Sequence, residues 1–388
     1  MLRQPSEPQG WFQKWANRCQ KFVVANKMKS SGTHVVIYES VAGTELDTES
    51  STTDQDSHSR TDKKSEFPFR MCILSLLLLS TLIISVLRKD GVPLSRKEYP
   101  SSCQNPAVRR EWRTLTSQEQ LHYLDSVSCL RTRGSKLGLE QSLYDDFPYV
   151  HSHVGNYSHN TEDFLIWHRY FLRTYEDRLR EECGFEGSLT YWDWSLDHND
   201  ILNAPVFDAE YGFGGNGNTS SAPSVAYGHC VTDGPFANLR ALYFGNEVKT
   251  HCLSRGFNNL EIVHDRTRYI TAEAIEAYLI EPEYVGFYSK LERGAHNSIP
   301  MIIRGDFYKV TAPYDPIFFL HHTQLDRLWY QWQLLDPPTR IMRISGTSTY
   351  EESENALLDD MITMADLAPA VARRKLLDTT GSDLCYMY

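Results

Sequence analysis

The sequence predicts a mainly α fold, a helical bundle with long loops and few short strands. Two stretches, 160–184 and 316–333, repeat apolar residues at the third-or-fourth-residue period that lays one face of a helix on a core. Strand-like alternation is short and sparse, while 196–260 and 335–375 are rich in loop signals. The 388 residues leave room for one large domain with appendages, and 8 Trp with 12% aromatic content supply a substantial core.

The chain reads as four parts. Residues 1–65 form a polar tail; from Thr48 to Ser65 nearly every residue is Ser, Thr or charged, too little apolar surface to order itself. Residues 66–90 contain the run MCILSLLLLSTLIISVL at 71–87, with no charge, Gly or Pro. That length is short for a membrane span but suits a thin bilayer, and it predicts a transmembrane signal anchor. Arg60, Lys63, Lys64 and Arg70 before the run balance Arg88, Lys89, Arg96 and Lys97 after it, so the near flanks do not set its orientation. Residues 91–102 read as a stalk, and 103–388 as the folded domain.

Six cysteines, 103, 129, 183, 230, 252 and 385, follow the apolar run, as do N-x-S/T sequons at Asn156 and Asn218. An even cysteine count with sequons favours a lumenal or extracellular domain, a type II orientation, with disulfides whose pairing the sequence leaves open. The net charge is −11, and no Lys/Arg block interleaves with aromatics, which argues against a nucleic-acid partner.

Within the domain, Thr116 and Glu119 have the spacing of a capping box, followed by Leu121, Leu124, Val127 and Leu130 as an apolar stripe. The next helix is expected to start at a cap on Asn160, to face inward through Phe164, His168, Phe171 or Leu172, Tyr175 and Leu179, and to end at Gly184. A third helix follows Pro316, with Phe318, His322, Leu325 and Trp329 on one side.

Histidines carry the chemistry. A lone buried histidine is more often a satisfied core residue than a ligand. His151, His159 and His168, however, fall within eighteen residues and close on an aromatic helix, and neutral imidazole suits copper. His296, His321 and His322 form a second set. Neighbours on a helix diverge by about 100°, so His322, on the apolar face, is expected to point inward and His321 to be structural.

The segment FLIWHRYFLRTYEDRLREECG, then YWDW at 191–194, then DPIFFLHHTQLDRLWYQWQ at 315–333, resembles the two copper-binding regions of fungal tyrosinases and catechol oxidases. CVTDGPF at 230–236, CLSRGFN at 252–258 and the closing Tyr386-Met387-Tyr388 resemble short fungal members, so the likeness spans roughly 103–388. The resemblance implies a tyrosinase-type bundle around two coppers that oxidises a phenol or tyrosyl group with O2, in fungal secondary metabolism that includes ribosomal-peptide mycotoxin biosynthesis. It assigns His151, His159 and His168 to one copper and His296 and His322 to the other, with His153 outside both. It also pairs Glu292 with Asn297 to orient a water that deprotonates the phenol, and gives Asp193, Asp326 and Arg327 structural roles.

One position departs from the family. The pattern H-N-x-x-H is read here as His296-Asn297-Ser298-Ile299-Pro300. Pro300 has no donor atom and is expected to disrupt the local turn. The second copper is therefore expected to lack a ligand, with Met301, Asp306 and His264 as substitutes to consider. The alternative is an impaired, copper-deficient binding protein; an O2 carrier of hemocyanin type suits one short anchored domain poorly.

Overall fold

The computed structural model describes residues 103–257, 259–344 and 356–388. The tail, the apolar run at 71–87 and the stalk lie outside them; among the described residues no helix is long and apolar enough to cross a membrane.

Helix α1 (Ser117–Leu130) starts at the expected capping box, with the Thr116 hydroxyl and the Glu119 carboxylate each accepting a backbone N–H from the other residue. Leu124, Val127 and Leu130 are buried, but Leu121 is exposed and Tyr123 takes its place in the core. Helix α2 (Leu143–His153) is capped in the same way by Ser142 and Asp145. Helix α3 (Asp163–Cys183) buries the whole expected face and ends on Gly184 in the left-handed conformation, φ 67°. Its start differs from expectation. Asn160 does not cap it but sits at φ 58°, donating its backbone N–H to the Glu292 carboxylate at 2.8 Å.

Helices α4 (Leu260–Thr267) and α5 (Ala272–Leu279) lead to α6 (Tyr284–Leu291), a π-helical turn over Glu292–His296, and α7 (Asn297–Ile303). Pro300 lies inside α7, and the helix runs on through Ile303 rather than breaking as expected. A π turn carries an extra residue and widens the backbone; here it ends four residues before the proline ring. Helix α8 (Ile317–Leu334) begins directly after Pro316.

Strands are short and occur, among the described residues, as four pairs. β1 (Ala107–Val108) runs parallel to β8 (Tyr386–Met387), and β2 (His229–Cys230) antiparallel to β5 (Ser254–Arg255). β3 (Arg240–Phe244) and β4 (Glu247–Cys252) form a hairpin, and β6 (Met361–Ile362) pairs with β7 (Val371–Ala372). The six cysteines join as Cys103–Cys385, Cys129–Cys183 and Cys230–Cys252, so the first clasps the two ends of the domain beside the β1–β8 pair.

α2, α3 and α8 meet in an aromatic knot. Tyr175 stacks on Phe319 at 3.5 Å between ring centroids, and Phe147 lies edge-on to Tyr175, Phe171 and Phe319. Each such side chain contributes roughly 1.5–3 kcal/mol on burial. A charged seam runs beside the knot. Arg169 of α3 holds Asp326 of α8 at 2.5 Å and lies over the Trp329 ring, and Arg109 bridges Asp326 to Glu176. The Tyr386 and Tyr388 hydroxyls both donate to the same Asp326 oxygen. Burial raises the Asp326 carboxyl, and Arg169 and Arg109 more than reverse this, leaving it below its ordinary value. Arg327 reaches Asp193 at 3.2 Å, as its structural reading required.

Replacing Asp326 by Ala leaves the buried Arg169 guanidinium without a counter-charge and Arg109 with Glu176 alone. The expected loss is about 3–5 kcal/mol, read as a lower urea midpoint; an unchanged midpoint would show that the seam adds nothing net.

Candidate metal centre

Each histidine of the first group comes from a different local structure. His151 is on the last turn of α2, His168 is on α3, and His159 follows the 3-10 turn Gly155–Ser158. That turn packs directly on Trp167: a Cβ at Gly155 would stand 2.4 Å from the indole, so only glycine permits the approach. The potential ligand atoms of the three rings all lie within 4.8 Å of one another.

Their orientation is set from behind. The Nδ1 of His151 donates to the Val310 carbonyl at 2.5 Å, that of His168 to Phe164 at 2.7 Å, and that of His159 to Gly155 at 3.1 Å. With the protons on Nδ1, each Nε2 presents a lone pair inward, the tautomer that metal-bound histidines commonly adopt. The His151 and His168 Nε2 atoms are only 3.2 Å apart. Two lone pairs held that close repel, and a cation between them turns repulsion into coordination.

The second group is His296, His321 and His322, again with ligand atoms within 4.8 Å of one another and all three buried. His321 was expected to be structural, yet its ring lies with the other two: centroids are 5.6 Å from His296 and 5.2 Å from His322. Successive residues diverge by about 100° around a helix, but a point on the bisector is only about 50° from either. An imidazole is long enough to lean that far. The one sequence signal was adjacency itself. The backbone carbonyls that orient the first group leave no side-chain signal at all.

His153 is exposed, stacks on Tyr149 and stays outside both groups, as expected. His264 is exposed on α4. Both Asp306 oxygens are engaged, one by the His251 ring at 2.7 Å and the other by the Ser254 N–H at 2.8 Å. Glu292 is buried and Asn297 exposed; Asn297 accepts from His296 Nδ1 at 3.0 Å. Among the described residues no hydrogen bond joins the Glu292 and Asn297 side chains.

The two groups face each other. His168 and His322 stack at 4.2 Å between centroids, and His159 lies 5.7 Å from His296, with Phe164 and Phe318 packed around them. Burial lowers all six imidazoles, and the neighbouring rings add to this for most of them; His151 and His321 fall to about 3 and His159 to about 4. All are therefore neutral at neutral pH, the form that binds metal.

These depressed values make the copper-free protein acid-sensitive. Below about pH 6.5 the unfolded chain takes up protons that the folded one refuses, so stability falls with pH, by about 1.4 kcal/mol per pH unit for each such imidazole. Urea melts of copper-free protein between pH 7 and pH 5 should show this loss; a flat profile would contradict a neutral cluster.

Comparison with known proteins agrees with this arrangement. The common central domain of tyrosinase matches residues 141–335. Tyrosinase-like protein phomQ1 of Diaporthe leptostromiformis is 39% identical over 347 residues, covering 81% of this chain and 88% of that protein. Tyrosinase ustQ of Aspergillus flavus is 37% identical, covering 82% and 88%. N-acetyl-6-hydroxytryptophan oxidase ivoB of Emericella nidulans is 29% identical, covering 74% and 93%. Among solved structures, a polyphenol oxidase variant from Thermothelomyces thermophila superposes with a TM-score of 0.64 at 28% identity, over 73% of this chain and 88% of that one. Two facing histidine groups that fit copper sites, on helices inside the matched region, agree with these likenesses: the chain belongs to the tyrosinase family and is a tyrosinase-like oxidoreductase.

Proposed function

We propose that the protein binds two coppers and uses O2 to oxidise a phenol carried by an aromatic amino acid or a tyrosyl peptide. The observation that carries this reading is the facing pair of buried, neutral imidazole groups, whose lone pairs converge with no proton to share. His151, His159 and His168 would hold one copper, and the group around His296 and His322 the other. Bound there, a copper pair would supply the redox exchange by which the phenol is oxidised and O2 reduced. The chain supplies spacing, a dry aromatic wall and proton handling. The name of ivoB specifies a hydroxylated tryptophan derivative, which supports an aromatic amino-acid phenol here. The reading extends to a place in fungal secondary metabolism, including ribosomal-peptide mycotoxin formation; its relatives phomQ1 and ustQ are fungal tyrosinase-like proteins.

Glu292 is the residue suited to take the phenolic proton. The Asn160 N–H holds its carboxylate beside His159, the next residue back along the chain. Burial raises it to about 8, against the opposing pull of the Asn160 hydrogen bond and Arg293, and two bound copper ions would lower it and favour the carboxylate that can accept a proton. Asn297 would help orient the water through which the phenolic proton leaves, and its side-chain oxygen also accepts from His296 Nδ1 and positions that ring. Copper-loaded wild type should turn over a catechol, and Glu292→Gln should lower phenol oxidation by about 10²–10⁴-fold at unchanged copper content. No turnover of any phenol or catechol by loaded wild type would favour the copper-deficient binding protein instead.

The run at 71–87 is read as a signal anchor with the domain lumenal or extracellular. The three disulfide pairs support an oxidising compartment. Protease added to sealed microsomes should remove only the first ~70 residues; digestion of the domain in sealed vesicles would reverse this orientation.

A further inference from the structure

We infer that His321 is the third ligand of the second copper, filling the place that Pro300 leaves empty. This rests on the copper reading above and concerns which side chains complete it.

The first observation is where unsatisfied polarity lies. In the first group every Nδ1 is anchored to a carbonyl, and in the second His296 Nδ1 is anchored to Asn297. His321 and His322 differ: both ring nitrogens of each are buried and have no hydrogen-bond partner. A buried polar atom left unpaired costs about 1–3 kcal/mol, so two adjacent rings in this state form an expensive arrangement unless something binds them. Their remaining neighbours give no relief. His321 packs against Trp194 and Phe307, neither of which offers it an acceptor, and His322 packs between His168 and Phe318.

The second observation is the coupling between the two substitutions of role. In an unbroken α-helix residue 300 would donate its N–H to the His296 carbonyl, and proline cannot. The His296 backbone lies near the His321 ring, without ordinary hydrogen-bond geometry to it. A small turn of the ring would let one nitrogen donate to it while the other faces His296 and His322, the same carbonyl-anchored pattern that orients all three rings of the first group. Pro300 thus removes one donor and exposes the acceptor that can orient another.

The third observation narrows the substitutes, of which Met301 offers only a soft thioether that favours copper(I) and that X-ray absorption would reveal as sulfur. Asp306 has both oxygens committed and His264 is exposed, so neither is free to complete the set.

The test is copper retention by the full chain. Protein is loaded with copper(II), dialysed against a weak chelator and analysed for copper per chain, as wild type and as His321→Leu. Wild type should keep two coppers and the variant one, with the second site weakened by more than the ~10–100-fold typical of a residue that merely supports a ligand. Copper-free His321→Leu should be at least as stable as copper-free wild type, because an apolar side chain replaces an unpaired imidazole; a purely structural histidine would give a loss. X-ray absorption at the copper edge of wild type, needing no variant, should count three imidazoles at each copper. Two coppers retained by His321→Leu with wild-type affinity, or a wild type that keeps one, would overturn the assignment while leaving the first site intact. A wild type that keeps none would overturn the copper reading itself.

Discussion

The Arg169–Asp326 ion pair sets the separation of the two helices on which both histidine groups depend. Arg169 immediately follows His168, and Asp326 stands one helical turn beyond His322. A shift of α3 along α8 by a single residue would break this pair and separate the stacked His168 and His322 rings together. Buried ion pairs are poor sources of net stability, since desolvation consumes most of the attraction. Here the pair's value is in register: a greasy interface of Leu and Phe tolerates sliding, whereas a guanidinium that finds its carboxylate at only one offset does not.

The rest of the molecule serves to make that pair tolerable. Arg109 adds a second cation to Asp326, and Tyr386 and Tyr388 add hydroxyl donors. Arg169 also spends donors on the Leu376 and Leu377 carbonyls. These partners come from the two ends of the domain, which β1, β8 and the Cys103–Cys385 disulfide hold side by side. The closing Tyr-Met-Tyr therefore acts on the metal centre at a distance: it satisfies the carboxylate that fixes the helix that carries His322.

Much of this was legible in the sequence, and the failures share a cause. Helix period placed α3 and α8 with their buried faces, because a hydrophobic stripe is a local property. The His151, His159 and His168 group was legible because three ligand-type residues crowded one short stretch. Asn160 was misread as a cap because cap preference is weak beside the pull of a buried carboxylate, Glu292, from 132 residues away. Leu121 was misread as core because the stripe did not reveal that the buried face takes in Tyr123, two residues on, and leaves Leu121 exposed. The Asp326 cluster could be assigned a structural role from sequence, but its partners at 109, 386 and 388 are long-range and carried no spacing signal.

The treatment of His321 shows most clearly where a one-dimensional reading fails. A helical wheel treats each side chain as a radial spoke, so one of two neighbours must face away. A ligand, however, is defined by where its nitrogen ends, and an imidazole's reach of two rotatable bonds lets adjacent rings meet over the same groove. The motif reading failed for a related reason. H-N-x-x-H records that the family places a donor one turn after His296; it does not record the volume of space into which that donor points. His321 approaches His296 and His322 from α8 rather than along α7. Pro300 is then compatible with an intact donor count, and it bears on backbone chemistry instead: by withholding an N–H from the His296 carbonyl, it leaves an acceptor beside the incoming ring. Loss of a ligand and recruitment of a neighbour then both trace to one residue, whose side chain has no donor atom and whose nitrogen has no hydrogen.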